Sequence, residues 1–129
     1  METKAPKIMI IDDDEHMLAT ARALLERAGL AVSVYAGRFD RLNTVLREQP
    51  DLLLLDINMP AVAGDELFAL FRGHPTLRQV PVVFFSSNDE ADLRHLVRQS
   101  GARGYICKSA VGSDFAARVQ RPLLPPSAA

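Results

Sequence analysis

The chain of 129 residues has a single cysteine, Cys107, so it has no internal disulfide, and a lone thiol suits a reducing compartment. A surplus of either charge is also missing. Fifteen Lys and Arg stand against 16 Asp and Glu, a net charge of −1, so no overall field draws the chain to nucleic acid or anionic lipid. No apolar run is long enough to span a bilayer. Residues 1–7 lack the apolar stretch of a secretory signal. There is no internal repeat and no low-complexity block. These absences predict a cytoplasmic domain with neither a membrane nor a direct nucleic-acid partner. What is present supports a core: 48% of residues are hydrophobic, 24% are charged, and the length suits one domain.

Short apolar runs alternate with amphipathic stretches. Residues 7–11 predict a first strand. Asp14 is placed to cap a helix running to about residue 28, where Gly29 stops it. Leu18, Ala21, Leu25 and Ala28 recur at helical spacing and form its apolar face. Residues 30–35 alternate and are rich in valine, which predicts strand two. Residues 38–48 predict a helix with Leu42, Val45 and Leu46 inward, ended by Pro50. Strand three is expected over 52–56, a short helix over 64–71, and a buried strand four over 80–85. Ser87 or Asn88 would cap a helix over 89–99. Strand five is expected over 104–107 and a last helix over 113–121. Pro122, Pro125 and Pro126 break any continuation, so residues 1–121 form the expected domain and 122–129 a proline-rich tail or the start of a linker. Five strands separated by helices imply an α/β fold. The sheet would be parallel, with helices on both faces, in the order 2-1-3-4-5.

Two of these strands end in acids. Leu52-Leu53-Leu54-Leu55 runs into Asp56, and Ile8-Met9-Ile10-Ile11 runs into Asp12-Asp13-Asp14. In an open α/β sheet, ligands gather at the carboxyl ends of the strands. Parallel neighbours lie about 4.8 Å apart, so Asp12, Asp13 and Asp56 should converge. Their mutual repulsion is relieved by protonation or by a cation. Oxygen-only ligands suit a hard ion, Mg²⁺ or Mn²⁺, and the backbone carbonyl of Asn58 could add one more oxygen. Ser86 ends strand four and Lys108 ends strand five at the same edge. A divalent ion, Lys108 and Ser86 could each take one oxygen of a phosphoryl group while Asp56 attacks phosphorus in line. Simpler readings exist for each part: helix-start acids for 12–15, a turn aspartate for Asp56, a solvated surface lysine for Lys108, a packing ring for Tyr105 and a buried filler for Cys107.

Four motifs in order carry a resemblance. They are Ile-Ile-Asp-Asp-Asp, Leu-Leu-Leu-Asp-Ile-Asn-Met-Pro with Gly64 four residues past Pro60, Pro-Val-Val-Phe-Phe-Ser-Ser, and Gly-Ala-Arg-Gly-Tyr-Ile-Cys-Lys. Over residues 7–121 the chain resembles the receiver domain of bacterial two-component response regulators, a three-layer flavodoxin-like sandwich. The resemblance implies that Asp56 is the phosphoacceptor. Asp12 and, more directly, Asp13 would bind Mg²⁺ with Asp56 and the Asn58 carbonyl. Ser86 and Tyr105 would be the switch residues and Lys108 the phosphoryl-pairing lysine, while Asn58 and Asn88 would tune phosphoryl lifetime. The implied partners are a sensor histidine kinase or histidine phosphotransfer domain, a downstream effector and a second copy of the chain. The switching surface would comprise the helix over 89–99, the strand over 104–107 and the last helix. Such a domain catalyses only its own phosphorylation and dephosphorylation. In one respect the chain departs from the family: Ser109 replaces the proline that usually follows the lysine in a cis peptide bond. A cis bond before a non-proline residue costs about 3 kcal/mol. A trans bond is therefore expected, with a shifted loop over 109–112 that bears on the aim of Lys108.

Rival readings differ in chemistry. An aspartyl-phosphate phosphatase would need a proton donor two residues past Asp56, where Asn58 stands. A flavin or nucleotide module would need a Gly-, Ser- or Thr-rich loop after strand one, where three aspartates stand. A degenerate receiver would act as a scaffold without phosphate, a reading that only Ser109 favours.

Overall fold

A computed structural model describes residues 5–36, 41–57, 69 and 72–123. Five parallel strands, β1 (Lys7–Ile11), β2 (Ala31–Tyr35), β3 (Leu52–Leu55), β4 (Val82–Ser86) and β5 (Gly104–Cys107), form one sheet in the order β2-β1-β3-β4-β5. The helices are α1 (Glu15–Arg27), α2 (Arg41–Glu48), α3 (Glu90–Ser100) and α4 (Phe115–Gln120). The central strands are apolar on both faces because both faces are covered. Met9, Ile11, Leu53, Leu55 and Phe84 point to one face, where they meet Val45 of α2 and Leu93 of α3. Ile8, Ile10, Leu52, Leu54 and Phe85 point to the other, where they meet Leu18, Ala21 and Leu25 of α1 and Phe115 and Val119 of α4. The result is the expected three-layer sandwich. The Phe85 and Phe115 rings lie 5.8 Å apart between centroids, joining β4 to α4.

Local chemistry sets the element ends. Asp14 caps α1 as expected, its carboxylate accepting the Met17 N–H at 3.1 Å, and Gly29 at φ +90° ends the helix. The cap of α3 is Asp89, which accepts from the Asp92 N–H at 2.9 Å, rather than Ser87 or Asn88. Strand four starts at Val82, two residues later than expected, because a 3₁₀ turn over Leu77–Gln79 occupies the approach and Pro81 has no N–H to give. Ala28 is exposed rather than on the apolar face. The last helix is shorter than expected. Asp114 makes no capping bond and pairs instead with Arg118 at 3.0 Å, and residues Arg121–Leu123 tighten into a 3₁₀ turn. Of the expected helix over 64–71 residue 69 alone is described, and it is helical; the rest of it and the first residues of the helix over 38–48 lie outside the described residues.

Candidate functional site

The strand ladders carry the acids to one edge. The Asp12 N–H donates to the Tyr35 carbonyl at 3.1 Å and the Asp56 N–H to the Ile11 carbonyl at 2.9 Å, so each aspartate is held by the strand beside its own. Asp12 and Asp56 are buried, whereas Asp13 is exposed at the rim. One carboxylate oxygen from each of the three lies within 4.8 Å of the others. Asn58, the fourth expected oxygen donor, lies outside the described residues.

Lys108 reaches into this cluster from the end of β5. Its Nζ is 2.8 Å from Asp12 Oδ2 and 3.3 Å from Asp56 Oδ2, and 5.6 Å from the centroid of the Phe85 ring. The contact with Asp12 is an ion pair without aligned hydrogen-bond geometry, so Oδ2 of this buried carboxylate has charge compensation but no directed donor. Oδ1 of Asp12 accepts the Asp14 N–H at 3.0 Å. No peptide bond among the described residues is cis. The segment Lys108–Ala110 turns as a single 3₁₀ turn, and the ammonium still meets both carboxylates. Ser86, fully buried at the end of β4, accepts the Asn88 N–H on its Oγ at 3.0 Å. It pairs in register with Cys107, one residue before Lys108.

Charge in the cluster is unbalanced. Burial pushes the Asp12 carboxyl up, Lys108 pulls it back, and the nearby Asp56 raises it again, for a net shift from 3.8 to about 6. Burial also penalises the Lys108 ammonium, but Asp12 and Asp56 outweigh it and hold its pKa above the usual lysine value. Lys108 thus pairs with the two buried carboxylates, while Asp13 adds a third at the exposed rim. An underdonated buried oxygen, all-oxygen donors and excess negative charge together fit a hard divalent cation.

Tyr105 lies half-buried on β5, opposite Phe84 in register, and its ring packs on the core layer of Leu55 and Phe84. Its hydroxyl donates to Glu90 Oε1 at the start of α3, at 3.0 Å. Sequence reasoning missed Glu90, since no spacing rule joins residues 15 apart on a strand and a helix. Cys107 is half-buried rather than a core filler, with its thiol 3.9 Å from the Asn88 carbonyl. A groove of about 670 Å³ runs along β5 between Glu90, Tyr105, Arg118 and Arg121. No described helix is long and apolar enough to cross a membrane.

Comparison with known proteins gives the same picture. The family model described as the response regulator receiver domain matches residues 8–120. RcaC of Microchaete diplosiphon is 34% identical over 117 residues, which cover 91% of this chain but 18% of that protein. PilG of Pseudomonas aeruginosa is 30% identical over 102 residues, covering 79% of this chain and 76% of PilG. The chain spans about half the length of the PrrA transcriptional regulators it matches, 49% of each. Among solved structures, the chemotaxis response regulator CheY4 of Vibrio cholerae superimposes with a TM-score of 0.80 at 20% identity, covering 92% of this chain and 98% of CheY4. The phosphorylated cyanobacterial phytochrome response regulator RcpA does so with a TM-score of 0.69 at 26% identity, covering 90% of this chain and 89% of RcpA. With its family match spanning the sheet from β1 to the end of α4, the chain belongs to the response regulator receiver domains.

Proposed function

We propose that Asp56 is the phosphoacceptor of this receiver domain and that residues 1–121 work as a phosphorylation-dependent switch, with 122–129 a tail or linker. The observation that carries the reading is the cluster itself: three aspartate oxygens within 4.8 Å, with Lys108 paired to Asp12 and Asp56 and a buried serine ending the next strand. Asp12, Asp13 and Asp56 would hold Mg²⁺, or Mn²⁺ in its place, joined by the Asn58 carbonyl. Such an ion supplies positive charge that offsets the carboxylates and the incoming phosphoryl oxygens.

An Asp56 carboxylate oxygen attacks the phosphorus of a phosphohistidine on a partner kinase or phosphotransfer domain. The P–O bond to Asp56 forms as the P–N bond breaks, and the electron pair leaves on the imidazole nitrogen, which takes up a proton. Lys108, already 3.3 Å from Asp56, transfers its ammonium to a phosphoryl oxygen, and the Ser86 hydroxyl turns to another. Tyr105 then repacks, and the surface of α3, β5 and α4 changes its affinity for a downstream effector or a second copy of the chain. No separate substrate is turned over. The even charge and the family match support a cytoplasmic setting.

The test is a beryllofluoride titration in Mg²⁺ followed by ¹H–¹⁵N NMR. Shifts at Asp56, Ser86 and Tyr105 that vanish in Asp56→Asn are the expected result, and unchanged wild-type spectra would leave only the scaffold reading. Hydrolysis of a small phosphate ester with turnover would favour the phosphatase instead.

A further inference from the structure

We infer that Glu90 is a positioning residue that latches Tyr105 in its resting, outward position and so sets how readily the domain switches; the inference rests on the proposed switch reading. Tyr105 is held at two ends. Its ring packs on the Leu55 and Phe84 layer, and its hydroxyl donates to Glu90 Oε1 at 3.0 Å with the Arg94 side chain of the same helix beside it. Glu90 is exposed and is the first residue of α3, so its carboxylate also sits at the positive end of the helix dipole. A charged acceptor makes this the stronger kind of hydrogen bond.

The latch is wired to the phosphoacceptor edge by a short loop. Ser86 Oγ accepts the Asn88 N–H at 3.0 Å, Cys107 Sγ lies 3.9 Å from the Asn88 carbonyl, and Glu90 follows two residues later. Residues 86–90 therefore form a closed circuit: β4 end, loop, helix start, Tyr105, and back along β5. When the Ser86 hydroxyl turns to a phosphoryl oxygen, the Asn88 N–H loses that acceptor, and one tie of the loop carrying Glu90 is loosened. Tyr105 can then leave Glu90 and swing away from the groove it lines with Arg118 and Arg121. Leaving breaks the Tyr105–Glu90 bond and takes the hydroxyl away from the Arg94 guanidinium beside it, so the Glu90 bond is a surface contact that biases the equilibrium between the two packings.

The consequence is opposite to that of a merely structural contact. Removing Glu90 should favour the switched state and tighten beryllofluoride binding about 2- to 10-fold, the range set by the net strength of one hydrogen bond. Loss of a structural contact would leave binding unchanged or weaken it. The experiment measures the affinity of the full chain for beryllofluoride in Mg²⁺ by NMR, for wild type, Glu90→Ala, Tyr105→Phe and the double variant. Tyr105→Phe keeps the ring and loses only the hydroxyl. Each single variant should tighten binding, Tyr105→Phe at least as much as Glu90→Ala because it also removes the hydroxyl from Arg94, and the double variant should add nothing beyond Tyr105→Phe. The inference is overturned by unchanged or weaker binding in Glu90→Ala, or by effects of the two substitutions that simply add. A wild-type chain that binds no analogue strikes down the phosphoacceptor reading itself, and the latch with it. The two failures are thus told apart by the wild type alone.

Discussion

Asp12 is the residue where burial and function pull hardest against each other. Its carboxyl is pushed from 3.8 to about 6, so between those values the folded chain holds a proton that the unfolded chain has released. Stability at this site therefore falls as pH rises through that window and stays lower above it. Asp12→Asn removes the conflict. In metal-free buffer its stability relative to wild type should grow from pH 4 to pH 6 and then level off at on the order of 1 kcal/mol in its favour, as read by urea melts across pH. The same substitution should weaken Mg²⁺ binding, as a titration of both proteins with the ion would read. Lys108 shows the reverse case. Its ammonium stands 2.8 Å from Asp12 and 3.3 Å from Asp56, and Lys108→Ala leaves both carboxylates without their cation. That variant should still fold but lose roughly 1–3 kcal/mol, part of it recovered when Mg²⁺ is added, a pattern that paired thermal melts would reveal. Lys108 was placed at the right edge by its position after an apolar run. Its aim at Asp12 as well as Asp56 was not legible, because that depends on the path of the backbone through Ser109.

Elements were legible where burial wrote the pattern and obscure where caps and turns did. The apolar runs of β1, β3 and β4 and the Leu18, Ala21 and Leu25 stripe of α1 announce themselves through periodicity. The 3₁₀ turn at Leu77–Gln79 and the early end of α4 do not, since both depend on which of several polar side chains wins a local bond. Likewise, Tyr35 OH to Glu48 Oε2 at 3.0 Å and Lys7 Nζ to Glu48 Oε1 at 2.8 Å tie β1, β2 and α2 together through pairs that no spacing rule connects. Two helix ends make a matched pair of tests. Gln49 follows α2 with φ +49°, a left-handed conformation unusual for a side-chain-bearing residue, and Pro50 comes next. Gln49→Gly should stabilise by a few tenths to about 1 kcal/mol. Gly101 ends α3 with φ +83°, and a Cβ there would come 2.7 Å from Arg72 Nη1. Gly101→Ala should cost about 1 kcal/mol or more. Chemical denaturation of the two variants beside wild type decides both signs.

At the scale of the molecule, the chain is a sheet sealed on both faces that presents its chemistry at one edge. Sequence reasoning could place Asp12, Asp13, Asp56, Ser86 and Lys108 at that edge because a strand order and a strand end together amount to a position in space. It could not find Glu90, whose bond to the Tyr105 hydroxyl joins residues 15 apart on a helix and a strand. With the proposed ion site at this edge, the excess of carboxylate over ammonium should also make the global stability respond to divalent ions. Ten times the dissociation constant of Mg²⁺ should add about 1.4 kcal/mol. Scanning calorimetry should therefore show a rise in Tm at pH 7.5, a smaller rise at pH 5 where Asp12 holds its proton, and none in Asp12→Asn. The sealed sheet has one further consequence. Leu52, Leu53, Leu54 and Leu55 have no exposed surface and sit between β1 and β4, so solvent deuterium can reach their amides only when the whole molecule opens. The amides around Asn88 and Glu90 should exchange far sooner. Phosphorylation would redraw that outer map while leaving the centre dark.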